Sequence, residues 1–265
     1  MKWGTLTRSG GASCFPLCAG TDTSQQSPIG IQTGAITPDP TLPTLGFDYS
    51  STTVNVTAGH NNFAANYPSG SNNTLSYKGT TYYLVNFHFH HPAEHHANDV
   101  AMGPIELHLV HSAGTPPQTQ TLVVAIFMAI PSVNSDDGKI LRELVDNVDK
   151  SIDVDAGKLL PSTCPYFTYR GSLTTPPCTE GVIWLLVDMG MPVHMDNVRR
   201  FKASSEAKYR HCYNARGVQS LNDRTVYAGP GAALPGGFAA SLGAADASFT
   251  IPRVNNRKTR YPFER

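Results

Sequence analysis

The chain has 265 residues, 40% of them hydrophobic, with 20 basic and 20 acidic side chains and a formal net charge of zero. That length suits one large domain or two small ones, and the charge balance carries no signature of nucleic acid or an anionic membrane surface as partner. No apolar run approaches the roughly 20 residues that span a bilayer. The chain opens MKWGT with no leader-like segment, so Met1 reads as the start of a mature domain. Residues 1–46 are rich in Gly, Pro, Ser and Thr and read as an extended, surface-wrapping segment around the compact motif Gln26-Ser27-Pro28-Ile29-Gly30-Ile31. Residues 47–58 read as a strand rich in β-branched side chains, followed by Gly59-His60. Residues 74–90 read as a hairpin turning near Lys78-Gly79, and Pro92, which lacks an N–H for the ladder, ends its second strand. Thr121 to Ile130 and Gly181 to Val187 read as buried strands. Residues 136–152 carry the clearest helical pattern, with Asp136 or Asp137 as cap and Ile140, Leu141, Leu144, Val145 and Val148 as apolar face. Asp196 to Lys202 reads as a short helix. Residues 225–265 are Gly-, Ala- and Pro-rich with little pattern. No repeat or composition shift marks a second domain, and many strands with few helices indicate a mainly β single domain over residues 1–265.

Seven of the ten histidines fall between Tyr83 and His111. Two segments there alternate as strands do. Asn86, His88 and His90 point one way and Phe87 and Phe89 the other; Glu106, His108 and Val110 point one way and Leu107 and Leu109 the other. If the two strands pair, His108 joins His88 and His90. Three imidazoles on a rigid sheet leave one tetrahedral position open, the pattern of a catalytic metal site and not of a closed structural one. An H-x-H pair alone is weak, since a His-rich tract can also be an adventitious metal binder. Glu106 beside His108, and Asn86 beside His88, strengthen the reading, because a ligating imidazole usually donates its other N–H to a carboxylate, carbonyl or amide.

The five cysteines, Cys14, Cys18, Cys164, Cys178 and Cys212, contain no C-x-x-C pair, which argues against a cysteine metal site. Their odd number leaves one thiol free or joined to another chain, so a homo-oligomer, disulfide-linked or non-covalent, stays open. Two glycosylation sequons, Asn55-Val56-Thr57 and Asn72-Asn73-Thr74, point toward a glycoprotein of an oxidising compartment: secreted, periplasmic or in an organelle lumen.

The motifs Gln26-Ser27-Pro28-Ile29, Gly59-His60, His88-Phe89-His90, Glu94-His95, Glu106-Leu107-His108, Gly171-Ser172-Leu173-Thr174-Thr175-Pro176-Pro177 and Asn214-Ala215-Arg216 with Asn222-Asp223-Arg224 come in an order that resembles the α-class carbonic anhydrases. The matched core runs from 26 to 224, leaving 225–265 as a C-terminal extension. The resemblance implies a central twisted, mostly antiparallel sheet of about ten strands with peripheral helices. It implies reversible hydration of carbon dioxide to bicarbonate and a proton by attack of zinc-bound hydroxide, with Zn2+ held by His88, His90 and His108. Thr174 matches the threonine that orients the nucleophile, Glu94 the carboxylate that takes the threonine's hydrogen, and His60 the proton shuttle. Val110, Val123, Leu173, Val182 and Trp184 match the apolar wall of the substrate pocket, with Thr175 beside it. Asn86, Glu106 and Asn214 stand behind the ligands, and His95 and His111 match structural hydrogen-bonding positions. Cys178 matches one half of the disulfide of extracytoplasmic members, with Cys18 or Cys14 as partner, Cys18 being favoured by spacing; Cys164 and Cys212 are a further possible pair. A non-catalytic binding module of the same family is the alternative. The chain departs from the pattern at Ala58, Thr121 and Ala215, and lacks the aromatic-rich opening before Trp3.

Overall fold

A computed structural model describes residues 14–21, 23–59, 62–114, 119–130, 132–188, 190–210 and 213–232. The N-terminal segment contributes two short strands, β1 (Gly30–Ile31) and β2 (Thr37–Pro38). Next come β3 (Gly46–Asp48), β4 (Ser51–Ala58), β5 (Phe63–Asn66), β6 (Thr74–Tyr77) and β7 (Thr80–His90). The β6–β7 hairpin turns at Lys78 and Gly79, both at positive φ (48° and 75°), the combination that matches the right-handed twist of the flanking strands. A small hairpin, β8 (His96–Ala97) and β9 (Val100–Ala101), precedes the long strands β10 (Ile105–Ala113) and β11 (Gln120–Ala129).

The region expected to hold one long helix over 136–152 divides into α1 (Ile140–Asp146) and β12 (Ser151–Asp155). Gly138 at φ 70° and Asp149 at φ 62° interrupt right-handed helix on either side. Asp137 does not cap: its side chain binds Ser132 and Asn134 and folds the preceding loop, while the N-cap position of α1 is Lys139, which makes no side-chain cap bond. Beyond Asp149 the chain gains more by pairing with the free edge of β4 than by adding helical turns. The chain continues through β13 (Tyr166–Ser172), β14 (Glu180–Val187), β15 (Met191–Pro192), α2 (Met195–Tyr209) and β16 (Tyr227–Ala228). Helix α2 is twice the length expected for 196–202. Its buried residues are Asn197, Val198, Phe201 and Ser205, of which only two are apolar, too few for an apolar-periodicity reading to follow to the end.

One 13-stranded sheet runs β12-β4-β5-β7-β10-β11-β14-β13-β16-β2, with β3, β6 and β15 beside this path. Along the path only β11–β14 and β16–β2 are parallel, so the sheet is mostly antiparallel as expected. Strands β1, β8 and β9 form a separate small sheet. The first residues past Arg224 join the main sheet through β16; residues 233–265 lie outside the described residues.

The sheet separates two cores. Phe87, Phe89, Leu107, Leu109, Leu122, Val124, Ile183 and Leu185 face the larger one, with Leu141 and Leu144 of α1 and Phe201 of α2 packed on it. Val123, Ala125, Phe127, Val182, Trp184 and Leu186 face the other, covered by Ile29 and Ile31 of the N-terminal segment. Buried on both faces, β11 and β14 read as unbroken apolar runs. A register shift between β7 and β10 pairs His111 with Leu84 but Val110 with Asn86, leaving Val85 without a counterpart. The shift lets Tyr82 and Leu84 share the larger core with Phe87 and Phe89, although strict alternation would have put them on opposite faces.

On β10 itself, three residues on from His108, alternation turns His111 to the opposite face, where its Nε2 meets the Tyr49 hydroxyl at 2.5 Å and the two rings stack. Burial pushes its pKa down to about 4 from 6.5. The folded chain thus resists a proton that the unfolded chain accepts, so stability falls as pH drops from 6.5 toward 4. A shift of this size corresponds to about 3 kcal/mol. Urea unfolding of wild type and His111→Gln at neutral pH and at pH 4 should show the variant's pH dependence shallower by roughly that amount. Parallel pH profiles would remove His111 as the cause.

Candidate metal centre

Strands β7 and β10 set His88 directly opposite His108 and His90 opposite Glu106. Alternation then sends all three imidazoles to the face away from the phenylalanines. Ring centroids lie 5.1 Å apart for His88–His90, 5.3 Å for His88–His108 and 4.5 Å for His90–His108. One nitrogen from each falls within 4.8 Å of the others. The three side chains expected to converge do so.

Each ring is held by its other nitrogen. His88 Nδ1 lies 3.0 Å from Asn86 Oδ1, His90 Nδ1 3.2 Å from the Asn214 carbonyl, and His108 Nε2 2.7 Å from Glu106 Oε1. These acceptors assign the ring protons, leaving His88 Nε2, His90 Nε2 and His108 Nδ1 with lone pairs. His90 Nε2 is buried with no hydrogen-bond partner. A buried nitrogen with a free lone pair beside two more is costly unless something electrophilic occupies the space between them. Burial first, then the neighbouring rings, lowers the pKa of His88 well below normal; burial and His108 bring His90 to about 3. Neutral nitrogens with carboxylate, amide and carbonyl support fit zinc, and the triad resembles a three-histidine zinc site.

Glu106 does more than support His108. It is fully buried, and its Oε1 accepts from His108 Nε2 and from His95 Nδ1, each at 2.7 Å. Its Oε2 accepts the backbone N–H of Glu94 at 2.7 Å and of His95 at 2.9 Å. The His95-Glu106-His108 group also brings three donor atoms together, but its members satisfy one another by hydrogen bonds. Beyond it, His95 Nε2 meets the Tyr169 hydroxyl at 2.7 Å, and Tyr169 meets Ser27 Oγ at 2.8 Å. Sequence reasoning placed His95 as a structural hydrogen-bonding position but missed Tyr169 and Ser27. They stand 142 residues apart, and no local pattern links them.

Glu94 is buried beside the triad. Its Oε1 accepts the Arg216 backbone N–H at 2.7 Å and lies 3.3 Å from His90 Nδ1. Its Oε2 has no partner of good geometry. Burial raises its pKa, partly offset by His108, the Arg216 N–H and the Thr174 hydroxyl. Thr174 is buried and Thr175 half-buried on the loop after β13. Arg216, also missed as an anchor, is buried and donates to the carbonyls of Cys18 and Ser27 and to Gln26 Oε1. The Cys18–Cys178 disulfide closes the same junction and decides the pairing in favour of Cys18. Cys14 and Cys164 are free thiols; Cys212 lies outside the described residues. Asn214 acts twice: its carbonyl holds His90, while its side chain accepts from His91 N and donates to Phe89 O at the end of β7.

Val123, Val182 and Trp184 are buried in the second core, with Val110 and Leu173 half-buried against them. The Trp184 ring centroid lies 4.9 Å from those of His95 and His108, and its Nε1 donates to the Ser172 carbonyl at 3.0 Å. Gly171 makes this packing possible: a Cβ there would meet Ser27 Oγ at 2.1 Å and Trp184 at 2.9 Å. His60 lies outside the described residues.

A family model described as eukaryotic-type carbonic anhydrase matches residues 9–230. A carbonic anhydrase of Neisseria gonorrhoeae is 33% identical over 228 residues, covering 85% of this chain and 82% of that protein. One from Nostoc sp. is 32% identical over 231 residues, covering 84% and 80%. Among solved structures, the α-carbonic anhydrase of Thermovibrio ammonificans with sulfanilamide superposes with a TM-score of 0.70 at 27% identity, covering 85% of this chain and 98% of that one. Dioscorin complexed with ascorbate superposes with a TM-score of 0.71 at 25% identity, covering 86% and 92%. Matched over most of its length by the family model and by relatives above 30% identity, the chain, with its three-imidazole centre, belongs to the α, or eukaryotic-type, carbonic anhydrase family.

Proposed function

We propose that this chain catalyses the reversible hydration of carbon dioxide to bicarbonate and a proton with zinc held by His88, His90 and His108. The observation that carries the reading is the convergence of three supported imidazoles on a buried, unpartnered His90 Nε2. Zinc in such a site, for which carbonic anhydrase is itself the reference case, supplies hydroxide near neutral pH. The chain's own residues do the rest. Thr174 accepts a hydrogen bond from the nucleophile and donates its own hydroxyl hydrogen bond to Glu94, whose open Oε2 is the available acceptor. Arg216 and Glu106, through the Arg216 and Glu94 backbone N–H groups, hold that carboxylate in place. Val110, Val123, Leu173, Val182 and Trp184, with Thr175 beside them, form an apolar wall that suits a small uncharged substrate. His60 takes the released proton to solvent, a role matched to an imidazole pKa near neutrality.

The likeness to dioscorin, whose structure is a complex with ascorbate, favours a second reading: a binding module on the same fold. Stopped-flow carbon dioxide hydration by zinc-replete protein separates the two. Hydration no faster than the uncatalysed rate, with one equivalent of zinc bound, would select the binding module. For His60→Ala, the expected result is a reduced maximal rate that added imidazole buffer restores. A rate indifferent to buffer would end the shuttle role.

The Cys18–Cys178 disulfide is consistent with an oxidising compartment, and a secreted, periplasmic or luminal location follows as our reading. Among the described residues no helix is long and apolar enough to cross a membrane.

A further inference from the structure

The two sequons occupy different settings, and the difference assigns one of them. Asn55 lies in the middle of β4, which is paired on one side with β12 and on the other with β5. Its Oδ1 accepts from Ser151 Oγ at 2.8 Å. The sequon's hydroxyl, Thr57 Oγ1, accepts from Asn66 Nδ2 at 2.9 Å, and the same amide donates to the Asn55 carbonyl at 3.1 Å. Asn55 and Thr57 are exposed, as Asn72 is, but the amide oxygen and the hydroxyl of this sequon are held in cross-strand hydrogen bonds on paired strand backbone.

Asn72 lies in the connection between β5 and β6 and is exposed. Its neighbour Asn73 is buried and fixes the loop. Asn73 Oδ1 accepts the Ser50 N–H at 2.8 Å, its Nδ2 donates to Thr52 Oγ1 at 2.7 Å and to Ser71 Oγ at 2.9 Å, and its carbonyl accepts the Leu84 N–H at 2.8 Å. With Asn73 turned inward, Asn72 and half-buried Thr74 flank it at the surface end of the hairpin. Thr74 opens β6 on the ladder with β7 and β3 through its backbone. The loop is thus rigid where it anchors and exposed where the acceptor amide sits.

We propose that Asn72, and not Asn55, is an N-glycan attachment site. The donor is a polyprenyl-pyrophosphate-linked oligosaccharide. A bond forms between Asn72 Nδ2 and the sugar anomeric carbon, and the bond from that carbon to the phosphate oxygen breaks. The amide gives up one of its two protons, and polyprenyl pyrophosphate leaves. An oxidising folding compartment, which the disulfide requires, is where such donors are used. The assignment does not depend on the metal chemistry.

The test is secretion of the full chain from a eukaryotic host, followed by peptide N-glycosidase in heavy-oxygen water and peptide mass mapping. The expected result is one labelled aspartate, at position 72, absent in Thr74→Ala, retained in Thr74→Ser and unaffected by Thr57→Ala. Asn72→Gln should fold with an unchanged urea midpoint and lose the glycan. No released glycan in the wild type, occupancy of Asn55, or a glycan that survives Thr74→Ala would overturn the assignment.

Discussion

Replacing His88 with alanine is expected to abolish zinc retention and carbon dioxide hydration together. Of the three proposed ligands, His88 is the informative one to remove. It is only half-buried, whereas His90 and His108 are buried, so its truncation opens the least cavity and leaves the β7–β10 ladder intact. Two imidazoles remain, 4.5 Å apart, too few to complete the triad. Atomic absorption on gel-filtered protein and stopped-flow hydration are the two readouts, with circular dichroism to verify that the fold persists. Hydration at the wild-type rate in the variant would overturn the ligand assignment.

The second large effect is expected at Glu106. Alanine there strands four donors in a dry interior: two imidazole N–H groups and two backbone N–H groups. Breaking a buried charged network in this way should destabilise the protein by roughly 3–5 kcal/mol. Loss of the partner of a ligating histidine should also weaken zinc binding roughly 10- to 100-fold. Glutamine should fall between alanine and wild type in stability, because it keeps one acceptor oxygen but turns an NH2 toward donors. Urea unfolding and competition with a zinc chelator measure the two effects separately. An alanine variant within about 1 kcal/mol of wild type, with unchanged zinc affinity, would show that the network holds nothing in place.

The site was legible in the sequence wherever two-residue alternation runs unbroken. From Asn86 to His90 and from Glu106 to Val110 it does, so the facing of His88, His90 and His108 could be read off directly. The Lys78-Gly79 turn and the end of β7 before Pro92 were equally local. Residues 136–152 misled because helical apolar spacing continues past the points where Gly138 and Asp149 adopt positive φ. Cys18 and Cys14 could not be separated with certainty by spacing, since the choice depends on where the N-terminal segment lies against the loop that carries Cys178.

Residue order along extended backbone determined the chemistry on offer here, because the direction of a side chain on a strand depends only on its own position. The shared face of Asn86, His88 and His90, and that of Glu106 and His108, follow from that rule. Tertiary structure alone decided the register that sets His88 against His108, the bulge at Val85 that returns Tyr82 and Leu84 to the larger core, and the anchoring of the site by Ser27, Tyr169 and Arg216. Those contacts join segments up to 198 residues apart. Their partners are selected by packing summed over the whole sheet, and no stretch of chain contains that sum.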